Sequence, residues 1–188
     1  MNIHKYKFNV KETVFLKVII SELNIHMNLI KIKFIVSWTT LINLKKTQSF
    51  MRFVNFYRCF IRNFFKLVKS FIQLTRKNTS FVQNKVCVQA FNNLKKQVSL
   101  TLVLRHFNFK CQVILKINAS NYVKDEILFQ YNDESVLYLM IFYSKSMIFT
   151  EINYHIYDKK LLVIIWWFEH WWSELKCTEL LIQIFIDH

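Results

Sequence analysis

The chain of 188 residues contains no glycine and no proline. Ordinary usage predicts roughly 13 glycines and about 9 prolines in this length. Turns that need a positive φ must therefore be built by Asn, Asp or strained residues. Cytosine-to-thymine mutation on both DNA strands explains the loss, because it converts the codons of glycine and proline into codons for other residues. The sequence thus predicts strained turns in a fold that mutation has altered.

Hydrophobic residues make up 53% of the chain, which is enough for a buried core, so disorder is not expected. The length allows one compact domain or two small ones. The net charge of +14 is typical of a partner for nucleic acid or for an anionic membrane surface. Mutational drift from acidic to basic residues is the alternative explanation for most of the excess. Moderate basicity would remain after drift, as expected for a protein that handles nucleic acid.

The cysteines show no CxxC pair and no zinc-type spacing with histidine; they are Cys59, Cys87, Cys111 and Cys177. We expect reduced thiols in an intracellular chain, cytoplasmic or nuclear. The longest uncharged run, 34–44, falls far short of the ~20 apolar residues of a membrane helix. The N-terminus lacks a secretory layout. We therefore expect no membrane partner.

Residues 47–67, TQSFMRFVNFYRCFIRNFFKL, place apolar side chains three and four apart. This pattern predicts one helix with a buried face, and Thr47 is its expected N-cap. Aromatic and arginine residues alternate along it, a combination that stacks on bases and binds phosphates. The candidate nucleic-acid-binding residues are Arg52, Tyr57, Arg58 and Arg62. An ordinary amphipathic helix with a solvated basic face is the competing explanation.

Further apolar patterns predict the other elements. A strand is expected over 6–21 and a helix over 81–98. The stretch 113–130 predicts a hairpin, followed by a strand over 136–145, a long helix over 150–174 and a strand over 181–186. Two apolar stripes are expected to be buried. They are Val86, Ala90, Leu94 and Val98 on the earlier helix, and Tyr157, Leu161, Ile164, Phe168 and Trp171 on the long one.

Several short motifs occur in a fixed order: TQSF, NFYR, AFNNLK, INAS, LFQ, FYSK, NYHIYDK and IFIDH. Together they resemble the polyproteins of gypsy-class LTR retrotransposons, over the end of the reverse transcriptase palm, its thumb and connection, and the ribonuclease H domain. The resemblance implies an α/β fold. It implies a helical palm-end and thumb/connection-like segment over 1–105. An RNase H-like mixed sheet with a long packing helix is implied over 106–188, expected to be truncated at its C-terminus.

The family cleaves the RNA of RNA–DNA hybrids, with carboxylates that hold two Mg²⁺ ions. By resemblance, three of these carboxylates belong at 118, 160 and 187. This chain has Asn118, Lys160 and Asp187 at those positions. A neutral amide and a positive charge do not replace metal-binding carboxylates, so no Mg²⁺ cofactor is expected. The aspartate-bearing polymerase motif of reverse transcriptases is also not found in the sequence.

The resemblance also exposes damage to the fold. Lys17 stands where the family has glycine, and Asp125 and Glu126 stand where it has a small pair. Pleating should point one of these two carboxylates into the core beneath the long helix. A buried charge without a partner costs several kcal/mol or takes up a proton. We therefore expect a poorly soluble or molten chain.

These observations lead to one main interpretation and two alternatives. The main one is a retrotransposon-derived reverse transcriptase/RNase H-like fragment without catalytic activity. The first alternative is a nucleic-acid-binding module that has kept binding but not catalysis, with an RNA–DNA hybrid or another nucleic acid as its partner. The second is an active nuclease with unusual ligands. No small-molecule substrate is expected from the sequence.

Overall fold

The computed structural model describes residues 8–39, 43–75, 85–100, 103–120, 122–132, 134–178 and 180–186. Within these ranges, the strands are β1 Glu12–Phe15, β2 Val18–Ser21, β3 Asn24–Met27, β4 Val103–Arg105, β5 Val113–Ala119, β6 Val123–Tyr131, β7 Leu137–Ser146 and β8 Gln183–Ile186. The helices are α1 Leu29–Val36, α2 Leu44–Phe56, α3 Phe64–Leu74, α4 Lys85–Ser99, α5 Phe149–Ile152 and α6 Ile156–Leu175, with a short 3-10 helix at Arg58–Phe60. The predicted α/β class is confirmed.

The first sheet is antiparallel, in the order β1-β2-β3-β4. The prediction of a single strand over 6–21 was wrong, because the chain reverses at Leu16 and Lys17 to pair β1 with β2. Their φ angles are 43° and 73°, the left-handed region that two-residue hairpin turns require and that glycine or asparagine fills with least strain. The strained turn expected from the missing glycine is therefore present at Lys17.

The segment 47–67 is not one helix. It is divided into α2, the 3-10 helix and α3, and Asn63 before α3 has a φ of 55°. The N-cap of α2 is Asn43, whose side chain accepts a hydrogen bond from the backbone N–H of Lys46 at 2.8 Å. Thr47 is buried and donates its hydroxyl to the carbonyl of Asn43 at 3.0 Å instead. The bend turns the chain so that α3 packs on the second sheet.

Both predicted helix stripes are confirmed only in part. Leu94 and Val98 are buried as expected, and Ile164, Phe168 and Trp171 pack half-buried against the core. On α4 the buried residues are Cys87, Phe91, Leu94 and Val98, whereas Val86 is 58% exposed. On α6 they are Lys159, Val163, Trp167 and Leu175, and Tyr157 is 80% exposed. Apolar residues lie on several faces of both helices, so periodicity alone admits more than one orientation.

The second sheet has the order β7-β6-β5-β8. The hairpin expected at 113–130 is β5 and β6, and β8 joins β5 in parallel, so the sheet is mixed as predicted. Helix α6 covers one face, where Ile117 and Leu128 pack with Val163 and Trp167. The other face meets the helical segment, as shown by the backbone N–H of Phe65 in α3, which donates to Ser144 Oγ of β7 at 3.0 Å.

The chain between the two sheets is held in place by a buried glutamine. Gln130 Nε2 donates to the carbonyl of Asn108 at 2.8 Å and to that of Cys111 at 3.3 Å. Its Oε1 accepts from the N–H of Asn108 at 2.9 Å. The guanidinium of Arg105 also lies 4.1 Å from the ring centroid of Tyr138 in β7. The connection therefore packs against the second sheet along its length.

A basic cavity where the catalytic carboxylates were expected

A cavity of about 330 Å³ opens on the face of the second sheet that lies opposite α6. Its walls come from the chain bend before α3, from β5, from β6 and from the end of β8. The lining residues are Arg62, Asn63, Lys116, Ile117, Asn118, Asp125, Ile127, Phe185 and Ile186. The structure thus brings together Arg62, predicted as a nucleic-acid contact, and Asn118, predicted at a lost catalytic position.

Strand alternation and register place the polar residues of this cavity. Residues two apart on a strand share a face, so Lys116 and Asn118 both project from β5 on this side. Asn118 lies directly opposite Asp125 of β6 in the antiparallel ladder. Both Lys116 and Asn118 are exposed. Arg62 reaches the same cavity only because the chain bends between α2 and α3.

Asp125 is the one acidic residue among those that line the described part of the cavity. Its Oδ1 accepts a hydrogen bond from Ser144 Oγ at 2.6 Å. Burial raises the pKa of Asp125, while the Ser144 hydrogen bond and the positive charges of Lys66 and Arg62 act to lower it. This carboxylate is therefore already engaged by the protein.

Of the other two matched positions, the described one, Lys160, does not join Asn118 in the cavity lining. Lys160 is half-buried in the second turn of α6, the helix that packs on the opposite face. Its neighbour Lys159 is buried, at 5% exposed. Asp187 lies outside the described residues. The role of Asp187 as the single retained carboxylate stays a prediction.

The residues present fit a divalent cation poorly. Mg²⁺ prefers charged oxygen ligands, and several carboxylates must converge to hold it. Over the described ranges, no group of three or more His, Cys, Asp or Glu side chains is arranged to hold a metal ion. The cavity instead presents Arg62 and Lys116 beside the one carboxylate of Asp125. Positive side chains at this place would repel a metal cation.

The opposite face of the hairpin carries the buried carboxylate expected from pleating. Glu126 is 2% exposed, pairs with Ile117 across the ladder and lies on the α6 side. Neither of its carboxylate oxygens has a hydrogen-bond partner within the described ranges. Burial raises the pKa of Glu126 to about 8; Lys124 and Lys145 lower it and Asp125 raises it. The inward residue of the pair is therefore Glu126.

A buried ion pair lies beside Glu126. Lys124, 1% exposed, donates from Nζ to Glu151 Oε1 at 2.6 Å. The second oxygen of Glu151 accepts the N–H of Ile148 at 2.9 Å. Burial raises the pKa of Glu151, but the hydrogen bonds from Lys124 and Ile148 and the charge of Lys145 outweigh it and hold that pKa below its ordinary value. The carboxylate of Glu151 thus neutralises Lys124, and Glu126 has no ion-pair partner among the described residues.

The predicted basic surface is present only in part. Arg52, Arg58 and Arg62 are exposed. Tyr57 is 1% exposed and donates its hydroxyl to the carbonyl of Lys17 at 3.2 Å. This burial leaves no ring face for a base, so the stacking role proposed for Tyr57 has to be withdrawn. The three arginines remain candidates for contact with phosphates.

Sequence reasoning missed the roles of Asp125, Ser144 and Gln130. The hairpin turn near 120 sets the register, so the pairing of Asn118 with Asp125 was open to prediction. No sequence signal marked the hydrogen bond of Ser144 to Phe65, because these residues are far apart in the chain and meet only on packing. None of the helices within the described ranges has the length and the apolar content that a membrane span requires.

Comparison with known proteins gives the reverse transcriptase and ribonuclease H family that the sequence motifs resemble. The family described as the RNase H-like domain found in reverse transcriptase matches residues 84–182. The Tf2-3 and Tf2-4 transposon polyproteins of Schizosaccharomyces pombe are each 30% identical over 154 residues, which is 82% of this chain and 12% of each polyprotein. The chain therefore spans about an eighth of the length of these relatives.

Solved structures support the fold. The foamy viral protease-reverse transcriptase in complex with an RNA/DNA hybrid is similar with a TM-score of 0.74 and 18% identity, over 94% of this chain and 24% of that one. The same protein in complex with dsDNA gives a TM-score of 0.75 and 17% identity, over 94% of this chain and 37% of that one. With the family match over more than half of its length, the chain belongs to the RNase H-like domains of retrotransposon reverse transcriptases.

Proposed function

We propose that this chain does not cleave RNA–DNA hybrids, and that it works without Mg²⁺. The observation that carries the proposal is the cavity at Asn118, which presents Arg62 and Lys116 where hydrolysis needs a metal-binding cluster of carboxylates. Asp125 does not substitute for them, since Ser144 binds its Oδ1 at 2.6 Å. We also propose a division at 105/106, between a palm-end and thumb/connection-like part and the RNase H-like part.

The test is a cleavage assay on a labelled RNA–DNA hybrid with Mg²⁺ or Mn²⁺. The full chain should give no more product than its Asp187→Ala variant, which removes the single carboxylate retained at the three matched positions. A fold check by near-UV circular dichroism on both proteins makes a negative result meaningful. Cleavage by the parent chain that is clearly faster than that of Asp187→Ala would contradict the proposal.

A second candidate function, nucleic-acid binding without catalysis, is supported by a separate observation. Arg52, Arg58 and Arg62 are exposed on consecutive parts of the helical segment. The related foamy viral structures contain an RNA/DNA hybrid and dsDNA. Because Tyr57 is buried, we propose that binding rests on phosphate contacts by arginine and not on stacking. Such contacts are independent of sequence and weaken steeply with salt.

Binding is measured by fluorescence anisotropy with a labelled RNA–DNA hybrid over a range of salt concentrations. Arg52→Gln and Arg58→Gln should each reduce the slope of log K against log[salt] by about 1. Lys110→Gln is the matched control, since Lys110 is exposed and lies outside the arginine segment. A parent chain that fails to bind the hybrid at low salt would contradict this function.

A further inference from the structure

The cavity at Asn118 has the charge of an anion site. The described residues contain one ion pair, Lys124–Glu151, so neither Arg62 nor Lys116 has an acidic partner within 4.0 Å among them. Lys116 Nζ lies 5.2 Å from the ring centroid of Phe129, a position that holds the ammonium without neutralising it. Two cations therefore line one small space without a close ion pair among the described residues.

Among the described residues, the single carboxylate of the cavity does not balance these positive charges. Asp125 already accepts the hydroxyl of Ser144, and the charges of both Lys66 and Arg62 act on it. Lys116 projects from β5 two residues before Asn118 and is exposed. Over the described residues the local sum of charge is thus positive, with Arg62, Lys66 and Lys116 around one acid. A cavity of this charge favours an anion over a cation.

The shape and walls point to a phosphate that is part of a strand. The volume of about 330 Å³ exceeds the ~30 Å³ share of a water molecule many times over, enough for a phosphate and part of its sugar. Arg62 presents a planar guanidinium, which binds phosphate through two parallel hydrogen bonds. The apolar side chains of Ile127 and Phe185 lie on this face of the sheet and suit the carbon atoms of a sugar.

We infer that this cavity binds a backbone phosphate of a nucleic-acid strand through Arg62 and Lys116, without a divalent cation. The inference rests on the proposed nucleic-acid binding and deepens it. Arg62 is also the last of the three exposed arginines, Arg52, Arg58 and Arg62, that are proposed to contact phosphates. Lys116 adds a second positive charge to that of Arg62, so this part of the sheet suits an anion.

The first experiment tests phosphate binding at the cavity separately from nucleic-acid binding at the rest of the surface. Inorganic phosphate is titrated into the full chain in EDTA, and amide shifts of Asn63 and of residues 116–118 are followed by NMR. The parent and Lys110→Glu should show saturable shifts, and Lys116→Glu and Arg62→Gln should lose them. The absence of shifts in the parent, or their persistence in Lys116→Glu, overturns the inference. Lys110→Glu makes the same charge change at an exposed lysine outside the cavity.

The second experiment connects the cavity to the strand. Hybrid binding is measured in EDTA, and Arg62→Gln should lower the salt slope by about 1 relative to the parent. If the parent binds but Arg62→Gln and Lys116→Glu bind as Lys110→Glu does, the cavity inference fails and nucleic-acid binding stands. If phosphate binds but no hybrid does, both the strand assignment and the binding function fail. Binding that requires added Mg²⁺ also overturns the inference.

Discussion

Replacing Glu126 with glutamine should make this protein more stable at neutral and alkaline pH. The carboxyl group is 2% exposed and has no hydrogen-bond partner among the described residues. Burial raises its pKa from the ordinary 4.5 to about 8, against the opposing charges of Lys124 and Lys145. Between these two pH values the folded state keeps a proton that the unfolded state releases.

The sign of the effect follows from this difference in bound protons. Below pH 4.5 both states are protonated and Glu126 has no pH-dependent effect. As pH rises toward 8, stability is lost at about 1.4 kcal/mol per pH unit, because only the unfolded state ionises. Above pH 8 the full loss is about 5 kcal/mol, a large part of the roughly 5–15 kcal/mol that stabilises a small domain. Glutamine stays neutral, so its variant should escape this loss.

The assay is urea unfolding of the parent and Glu126→Gln at pH 5.0 and pH 7.5, followed by tryptophan fluorescence. The advantage of the variant in unfolding free energy should grow by about 3 kcal/mol between these pH values. Taking the difference between the two proteins removes the contributions of other groups, including Glu151. Glu134→Gln, at an exposed turn, should show no such growth. An advantage that stays constant with pH would refute the reasoning.

Three more predictions follow from contacts of the second sheet and the first turn. Glu151→Ala leaves the buried Lys124 ammonium without its ion-pair partner and should reduce the free energy of unfolding by about 3 kcal/mol. The loss is measured by urea unfolding at pH 7, with Glu169→Ala on the exposed face of α6 as the control. The pKa of Glu151 lies below its ordinary value, so the stability contributed by the ion pair is lost as pH falls, whereas stability is lost at Glu126 as pH rises. A destabilisation by Glu151→Ala no larger than that by Glu169→Ala would contradict this prediction. Ser144→Ala removes the acceptor for Phe65 N–H and the donor to Asp125. It should lower the free energy of unfolding by about 1–3 kcal/mol. Ser146→Ala is the exposed control on the same strand. Leu16→Asn with Lys17→Gly gives the positive-φ turn its preferred residues and should raise stability by up to about 1 kcal/mol in thermal unfolding, whereas Leu23→Asn, outside that turn, should not; equal effects of the two changes would contradict the strain argument.

Local pattern accounts for much of the second sheet. Residues 113–130 contain an apolar strand up to Asn118, a small-residue corner at Ala119-Ser120 and a second apolar run at 127–129, which together predict β5, β6 and their pairing. The pleat of a strand predicts that one of Asp125 and Glu126 points inward. Lys17 at a family glycine position predicts a strained turn, and a φ of 73° is found there. These features depend only on neighbours in the sequence or across one hairpin.

Helix orientation could not be read in the same way. Hydrophobic residues form 53% of the chain, so α4 and α6 carry apolar side chains on more than one face. On α6, packing against β5 selects Val163 and Trp167 and leaves Tyr157 and Leu161 outside. The choice is made by the surface that the helix meets, since burial against that surface determines which apolar area leaves water.

The candidate site shows the same division between sequence and tertiary structure. The sequence by itself determined the loss of two expected carboxylates, at Asn118 and Lys160, and the excess of positive charge. Only the tertiary structure decided that Arg62 lies beside Asn118, because the chain bends at Asn63, and that Lys160 is carried on the other side of the sheet. A bend is a local change of a few dihedral angles, yet it sets which distant residues meet. The charges could therefore be predicted from the sequence, but their assembly into one cavity could not.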